Sequence, residues 1–384
     1  MKKILFVTTA SLGLGDYTGD VIRAQNIIKY LRKKNKVDIV CTTKNNEYKK
    51  TVKNGKIFFF KKSNFLLRLA YTSMALLKLK PLQLGYFYCK KIDQFLQNKY
   101  KNYDSIVFHL VRSAQYLPKK FKGKKILEMT DVMSNNYSQT KKNLNILNFF
   151  YYIYFLESFL VKKYEKLCSK IFDKIVIVSR KDLSNLDKQF NKKVIEITNG
   201  VKKENKTFKF HKKNFKILFI GNINYLPNRY ACYDFAKNIL PKINLVYPNI
   251  EFHIIGKINI LDRIKLYFFK NVKVLGKINF LKKNIRSSIC GVSNLQIATG
   301  VQNKIYTYVS YALPAVVSSK SASGIKNLLI NQDFLVYQDE KKFVNQILQL
   351  KDDKILAEKI SKNSHIKIKN LSWEKTLKNY NKII

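Results

Sequence analysis

The chain has 384 residues, 46% of them hydrophobic, with 73 Lys and Arg against 25 Asp and Glu and a formal net charge of +48. That length favours two domains, and the apolar share is ample for globular cores, which excludes a low-complexity or disordered chain. Five scattered Cys without a C-x-x-C pair, and four His without H-x-x-x-H spacing, argue against a disulfide framework or a metal site and suit a reducing cytoplasm.

Only eight of the basic residues are Arg, and the Lys come with abundant Asn, Ile, Phe and Tyr. Much of the charge therefore reads as compositional and placed on solvated faces. Such a surface attracts anionic lipid or nucleic acid. No helix-turn-helix, finger or RNA-binding aromatic signature is present, so nucleic acid is not expected as the main partner.

Residues 4–8 are a continuous apolar run and predict a buried strand. Lys2 and Lys3 before it imitate a secretory leader, but a glycine loop over 11–19 and an amphipathic helix follow without a cleavage site. The helix begins at Asp20, with Val21, Ile22, Ile27, Ile28 and Leu31 on one face. A second strand is predicted at 37–42 and a third at 57–60. Strand, glycine loop, helix, strand is half of a dinucleotide-type fold. The loop lacks G-x-G-x-x-G helix-entry spacing and no acid closes the second strand, so NAD is not assigned.

Residues 65–88 mix long apolar side chains with Arg68, Lys78 and Lys80. An ordinary core helix is the favoured reading. The other is an interfacial helix on an anionic membrane, its lysines reaching toward headgroups. Residues 144–170 carry the same ambiguity, and no run is long enough to span a bilayer. Strands follow at 104–108, ending at His109 with Arg112 three residues on, and at 125–129, ending in Thr130 and Asp131. Ligands sit at the carboxyl ends of such strands, although a satisfied structural histidine is an equal reading of His109. Further strands are predicted at 175–178, with Ser179 as the N-cap of a helix, and at 194–197.

The polar run 202–214 reads as a linker, after which the pattern restarts. A strand at 216–220 leads into a loop over 221–228 and a helix over 231–240 with Pro241 near its end. Strands at 251–255 and 272–275 run into Gly256 and Gly276. In the stretch 299–319, Gly300 opens a helix whose first N–H groups are unpaired donors suited to phosphate. Gln302, Asn303 and Lys304 put two amides and one cation in that turn. The helix runs from Ile305 to Tyr311, stops near Pro314, and 315–319 reads as a buried strand. Loop, polar helix start, helix and buried strand are how a doubly wound domain builds an anion site, though a Gly with a Lys nearby is common in any α/β protein. A helix at 343–350 and an amphipathic segment at 371–384 close the chain. Two such units suit an enzyme that joins two substrates, one per domain.

These residues resemble a known family. Gly19-Asp20-Val21-Ile22-Arg23 is similar to G-D-K-I-R, Tyr103-Asp104 begins a fourth-strand motif, and Asn199-Gly200-Val201 is similar to N-G-V-D. Gly221 through Asn228, with Tyr225 and Pro227, is similar to G-x-M-x-Y-x-P-N. Gly300-Val301-Gln302-Asn303-Lys304-Ile305 resembles G-I-Q-N-K-V, and Ser372-Trp373 resembles the S-W of a closing helix. In this order and spacing they resemble the family-four retaining glycosyltransferases, in the sugar transferase branch of bacterial exopolysaccharide clusters.

The resemblance implies an α/β chain of GT-B architecture, with two Rossmann-like domains facing across a cleft and a C-terminal helix crossing back. It implies an acceptor-binding domain at 1–202, a linker at 203–214, a nucleotide-sugar-binding domain at 215–370 and a closing helix at 371–384. It implies a UDP- or GDP-type sugar donor and a glycan or lipid-linked acceptor in exopolysaccharide or lipopolysaccharide synthesis. No cofactor and no obligatory metal are implied, and the setting is the cytoplasm, at the inner face of the membrane, with peripheral contact to anionic lipid. Gly221, Asn222, Asn228, Gly300, Gln302, Asn303, Lys304 and Thr307 match the donor side. Lys304 meets the leaving diphosphate, as a metal-free site requires helix starts and cations to do. His109 and Asp131 join it as catalytic candidates, and Gly19, Asp20, Arg23 and Arg112 fall on the acceptor or phosphate side.

Two departures stand out. The family Glu that binds the donor ribose is Thr307 here, and a hydroxyl reproduces only part of a carboxylate's acceptor capacity. The Gly before the proline is Ala312. A catalytically weakened or inactive binding subunit is the alternative these changes imply.

Overall fold

The computed structural model describes residues 1–12, 18–142, 144–180, 183, 192–202, 204–278, 281–298 and 301–384. The chain divides into two units: Met1–Thr198 with Thr376–Ile384, and Asn199–Lys375.

The first unit is built on β1 (Lys3–Thr8), β2 (Lys36–Thr43), β3 (Tyr48–Val52), β4 (Gly55–Lys61), β5 (Ser105–His109), β6 (Lys124–Thr130), β7 (Lys174–Ile177) and β8 (Val194–Glu196). They lie in the order β3-β4-β2-β1-β5-β6-β7-β8. Only the β3–β4 hairpin is antiparallel. Ile4, Leu5, Phe6 and Val7 are 0% exposed. That burial on both faces is why β1 reads as an unbroken apolar run. β4 is the strand expected at 57–60, whereas β3 escapes the sequence pattern because Tyr48, Lys49 and Lys50 are exposed edge residues.

The second unit holds β9 (Lys216–Ile220), β10 (Glu251–Ile255), β11 (Val272–Gly276), β12 (Ser288–Ser293), β13 (Ala315–Ser318) and β14 (Leu335–Tyr337). The order is β11-β10-β9-β12-β13-β14. All pairs are parallel. Counted from β9, this is the 3-2-1-4-5-6 order of dinucleotide-binding folds, with its switch point between β9 and β12. The sequence pattern does not reveal β12. Its residues Ser-Ile-Cys-Gly-Val-Ser are all buried, but four of the six are small or polar. Gly291 is required there, because a Cβ would stand 2.4 Å from the Tyr308 ring.

The helix expected at 231–240 begins earlier, at Leu226, and passes Pro241. A π turn over Phe235–Ile239 absorbs the hydrogen bond that Pro241 cannot make. The helix start expected after Ser179 falls largely outside the described residues. Within the polar run before β9, Phe208 is 1% exposed, and Thr207 and Phe208 both donate backbone N–H groups to the Tyr311 carbonyl.

The helix Asn303–Ser310 ends in a Schellman motif: Leu313 N bonds Tyr308 O, and Ala312 N bonds Val309 O. Ala312 sits at the left-handed position with φ 63. This is the position where the family carries Gly, and Cβ makes that conformation costly. Ala312→Gly is therefore expected to stabilise the protein by about 0.5–1 kcal/mol, read as a higher midpoint in urea with an unchanged slope.

The core-helix reading of residues 65–88 does not hold. In the helix Phe65–Leu77 only Ala75 is buried, and Phe65, Leu66 and Leu77 are 63%, 74% and 85% exposed. The apolar side chains point to solvent because the unit covers one narrow face alone. The helix Phe149–Ile171 buries Leu160, Val161 and Cys168 on one face but leaves Phe149, Phe155 and Phe159 exposed.

Candidate functional site

In the second unit the strand ends at the switch point converge on Lys304. Ile220 closes β9, and Gly221 follows with its N–H bonded to Ile255 O. A Cβ on Gly221 would meet Asn228 Nδ2 at 3.0 Å. Asn228 can therefore lie across the strand end, donating from Nδ2 to Asn222 O at 2.9 Å. Its Oδ1 accepts from Lys304 Nζ at 2.6 Å. The ammonium also stands 4.1 Å over the Phe219 ring. Gly256, at φ 139, comes so close that a Cβ would meet Gly221 O at 1.8 Å. Three glycine and asparagine positions thus fit together because no larger side chain could occupy them.

Lys304 is 8% exposed, and no carboxylate is paired with it among the described residues. Burial pushes its ammonium down to about 7, with the nearby Cys232 opposing. A buried cation held by an amide and an aromatic face, at the amino end of a helix, is electrostatically incomplete without an anion.

The other motif residues assemble around the same helix. Asn199 Nδ2 donates to Asn303 Oδ1 at 2.8 Å. Gly200 packs on Trp373, where a Cβ would stand 2.3 Å from its Cα, and Val201 pairs with Ser372. Gln302 is the helix N-cap. Gly300 lies outside the described residues. Thr307 Oγ1 donates back to Asn303 O at 3.0 Å, within its own helix.

Sequence reasoning missed Tyr308. Its buried hydroxyl accepts from Ile220 N at 2.9 Å and donates to Val292 O at 3.0 Å, bridging β9 and β12 where they part. A tyrosine one residue after Thr307, on the inward helix face, was the available signal. A groove of about 340 Å³ lined by Pro241, Asn244, Pro248 and Phe269 lies at the amino ends of β10 and β11. It is at the wrong edge of the sheet for a switch-point ligand.

In the first unit Thr8 and His109 are register partners on β1 and β5. Thr8 Oγ1 lies 3.0 Å from His109 Nδ1 and accepts from Ala10 N at 3.1 Å. His109 is 0% exposed and stacks on Phe6. Burial holds its imidazole down to about 3, with Asp20 opposing and Arg23 and Arg112 reinforcing. At neutral pH it is uncharged, and Nε2 is buried without a partner among the described residues. Arg112 Nε donates to Thr9 Oγ1 at 2.7 Å, with its guanidinium 4.2 Å over Phe87. Beside it lies a shallow pocket lined by Thr9, Thr42, Ser63, Arg68, Tyr86 and Tyr88.

Arg23 is placed differently from the reading that put it on a ligand. It is 0% exposed and binds both oxygens of Glu128, at 2.8 and 3.2 Å. Burial works against its charge, and Glu128 together with Tyr380 and Asp131 outweighs burial to raise it. The Tyr380 hydroxyl donates to the same carboxylate. Gly19 and Asp20 form the start of the helix Gly19–Leu31. Asp131 follows Thr130, whose φ of 68 is strained for a β-branched residue, and Leu110 after His109 has φ 72. Both strained residues sit at the carboxyl edge of the sheet, where functional loops store strain. No group of three or more His, Cys, Asp or Glu is placed to hold a metal among the described residues. No helix among them is long and apolar enough to cross a membrane.

This is the GT-B fold: two units of mostly parallel strands, matched over the full chain by solved glycosyltransferases. The HepE protein of Anabaena, solved with UDP-glucose, has TM-score 0.68 at 11% identity, covering 100% of this chain and 99% of its own. The sucrose-phosphate synthase of Thermosynechococcus elongatus has TM-score 0.73 at 13% identity, covering 100% and 98%. A UDP-forming α,α-trehalose-phosphate synthase of Burkholderia xenovorans, solved with glucose-6-phosphate, has TM-score 0.70 at 10% identity, covering 100% and 99%. At such identities the likeness shows the fold alone. Residues 214–353 match the family model described as Glycosyl transferases group 1, so the second unit carries a glycosyltransferase domain of that group. No curated protein matches the chain in sequence.

Proposed function

We propose that the protein moves a sugar, with retention, from a nucleotide-diphospho-sugar bound by the second unit to a glycan or lipid-linked acceptor bound by the first, in cell-surface glycan synthesis. The observation that carries this reading is Lys304, buried at a helix start beside the β9–β12 switch point and paired with no carboxylate among the described residues. A leaving diphosphate supplies the missing charge, and Lys304 stabilises it as the glycosidic bond breaks. Asn222, Asn228, Gln302 and Asn303 orient the donor. His109, Arg112 and Asp131 edge the acceptor side, with His109 neutral and Arg112 cationic. The UDP-glucose held by HepE supports a uridine donor of this kind. The test is a thermal-shift screen over UDP-, GDP- and TDP-sugars: a binder raises the midpoint, and the lack of any shift sinks the reading.

A second reading, a subunit with a weakened donor site, draws on Thr307, whose hydroxyl is turned onto its own helix. Restoring a carboxylate by Thr307→Glu is expected to tighten nucleotide binding by about tenfold, through charge-assisted bonds to the ribose hydroxyls. Calorimetry checks this, and unchanged affinity would show that Thr307 does not face the ribose.

A further inference from the structure

Only eight residues of this Lys-rich chain are Arg, and two of them, Arg68 and Arg112, stand on one aromatic wall of the first unit. The wall is Tyr86 and Phe87, whose ring centroids lie 5.1 Å apart, edge to face. The Arg68 guanidinium is 3.7 Å over the Tyr86 ring, and the Arg112 guanidinium is 4.2 Å over the Phe87 ring. No other Arg stacks on an aromatic ring among the described residues.

Local structure fixes both. Arg68 lies in the first turn of the helix Phe65–Leu77, where Asn64 Oδ1 accepts from Leu67 N at 2.9 Å. Gly85 lets that helix close on the wall, since a Cβ there would stand 2.2 Å from Tyr71 O. Arg112 lies in the 3-10 turn Val111–Tyr116 that follows β5. Gln115 Nε2 donates to Leu84 O at 3.0 Å, and the Tyr116 hydroxyl donates to Phe87 O at 3.2 Å, which ties the turn to the same wall.

Each guanidinium spends its Nε on being positioned. Arg68 Nε donates to Tyr86 O at 3.0 Å and Arg112 Nε to Thr9 Oγ1 at 2.7 Å. Their Nη groups have no partner among the described residues, and neither Arg is ion-paired there. Asp20 is the carboxylate whose field reaches Arg112, and no carboxylate lines the pocket that holds Arg68. Thr9, Thr42 and Lys62 in its lining mark the carboxyl ends of β1, β2 and β4, the edge where such sheets place ligands. Planar forks with their outer nitrogens left over match an oxyanion, whereas a Lys supplies only a point charge.

We propose that this pocket selects an acidic acceptor, a sugar whose carboxylate or phosphate is held by the Nη groups of Arg68 and Arg112. This narrows the acceptor from any glycan to a charged one, and it rests on the transfer reading for the ligand's role.

The test is calorimetry of the full chain with glucuronate, glucose 6-phosphate and glucose. A charged sugar is expected to bind at least about tenfold more tightly than glucose, through charge-assisted bonds. The tighter of the two charged sugars names the oxyanion. Arg68→Lys/Arg112→Lys keeps the net charge and removes both forks, so the charged sugars should lose about tenfold in affinity. Should the double variant lower the urea midpoint, Arg68→Lys alone, on the solvent-facing helix, carries the comparison. Glucose binding as tightly as the charged sugars, or no charged sugar binding, would overturn the proposal. So would a folded Lys variant that binds like wild type, because the attraction would then belong to the +48 surface at large. The nucleotide-sugar screen is scored apart. Nucleotide binding without acidic-sugar binding sinks this inference alone, and the reverse sinks the transfer reading while leaving an oxyanion site.

Discussion

Lys304→Met is expected to lower kcat/KM for the sugar donor by about 10²–10³-fold, the range seen when one preorganised group facing developing charge is removed. Near pH 7 stability is expected to move by no more than about 1 kcal/mol, because relief of a buried cation opposes the loss of the hydrogen bond to Asn228. The variant thus separates a ligand-binding lysine from a structural one. A structural lysine would cost folding, and its loss would leave the donor's affinity intact.

The same residue sets a pH dependence with a defined sign. Burial lowers Lys304 to about 7, against 10.5 as its ordinary value. The folded protein therefore binds fewer protons than the unfolded chain between those values, and stability rises with pH across that window. Below about pH 7 the cost of the buried charge is fully present. Lys304→Met should remove this component, so that the stability gap between variant and wild type narrows or reverses from pH 6 to pH 9. Donor binding runs the opposite way. If Lys304 meets the donor diphosphate as proposed, binding requires the protonated lysine, so affinity should fall by up to about tenfold per unit above pH 7. Calorimetry in buffers of different ionisation enthalpy should show proton uptake on binding. Uptake that persists in Lys304→Met would assign the proton elsewhere.

Glu128→Leu is expected to destabilise the protein by about 3–5 kcal/mol, since it leaves the Arg23 guanidinium buried without its carboxylate. Arg23 and Glu128 are both 0% exposed and doubly hydrogen-bonded. Tyr380, from the last residues of the chain, loses its acceptor as well. The double variant Arg23→Met/Glu128→Leu should recover most of the loss, because two apolar side chains of similar volume require no charge pairing. Urea denaturation of the four proteins gives the coupling energy directly. Equal losses in the single and double variants would mean that packing, and not the ion pair, holds this part of the first unit.

The apolar strands were legible because parallel sheets bury both faces, so β1, β5, β9 and β13 appear as short continuous runs. The helix at Lys304 was legible from its polar start and the proline beyond its end. By contrast, β12 was hidden: its Ser288, Cys290, Gly291 and Ser293 are buried by their neighbours, and nothing in their own hydropathy says so. Arg23 shows the same limit. Its motif put it near a ligand, but the partner that claims it, Glu128, is 105 residues away.

The sequence by itself determined the two α/β halves, the glycine and asparagine turns, and the helix start that carries Lys304, since periodicity and local backbone chemistry act over a few residues. Only the tertiary structure decided which cation is paired and which is left with an amide and an aromatic ring, and which apolar helices are core and which face solvent. Those outcomes depend on what lies across the sheet, and distance along the chain does not encode that.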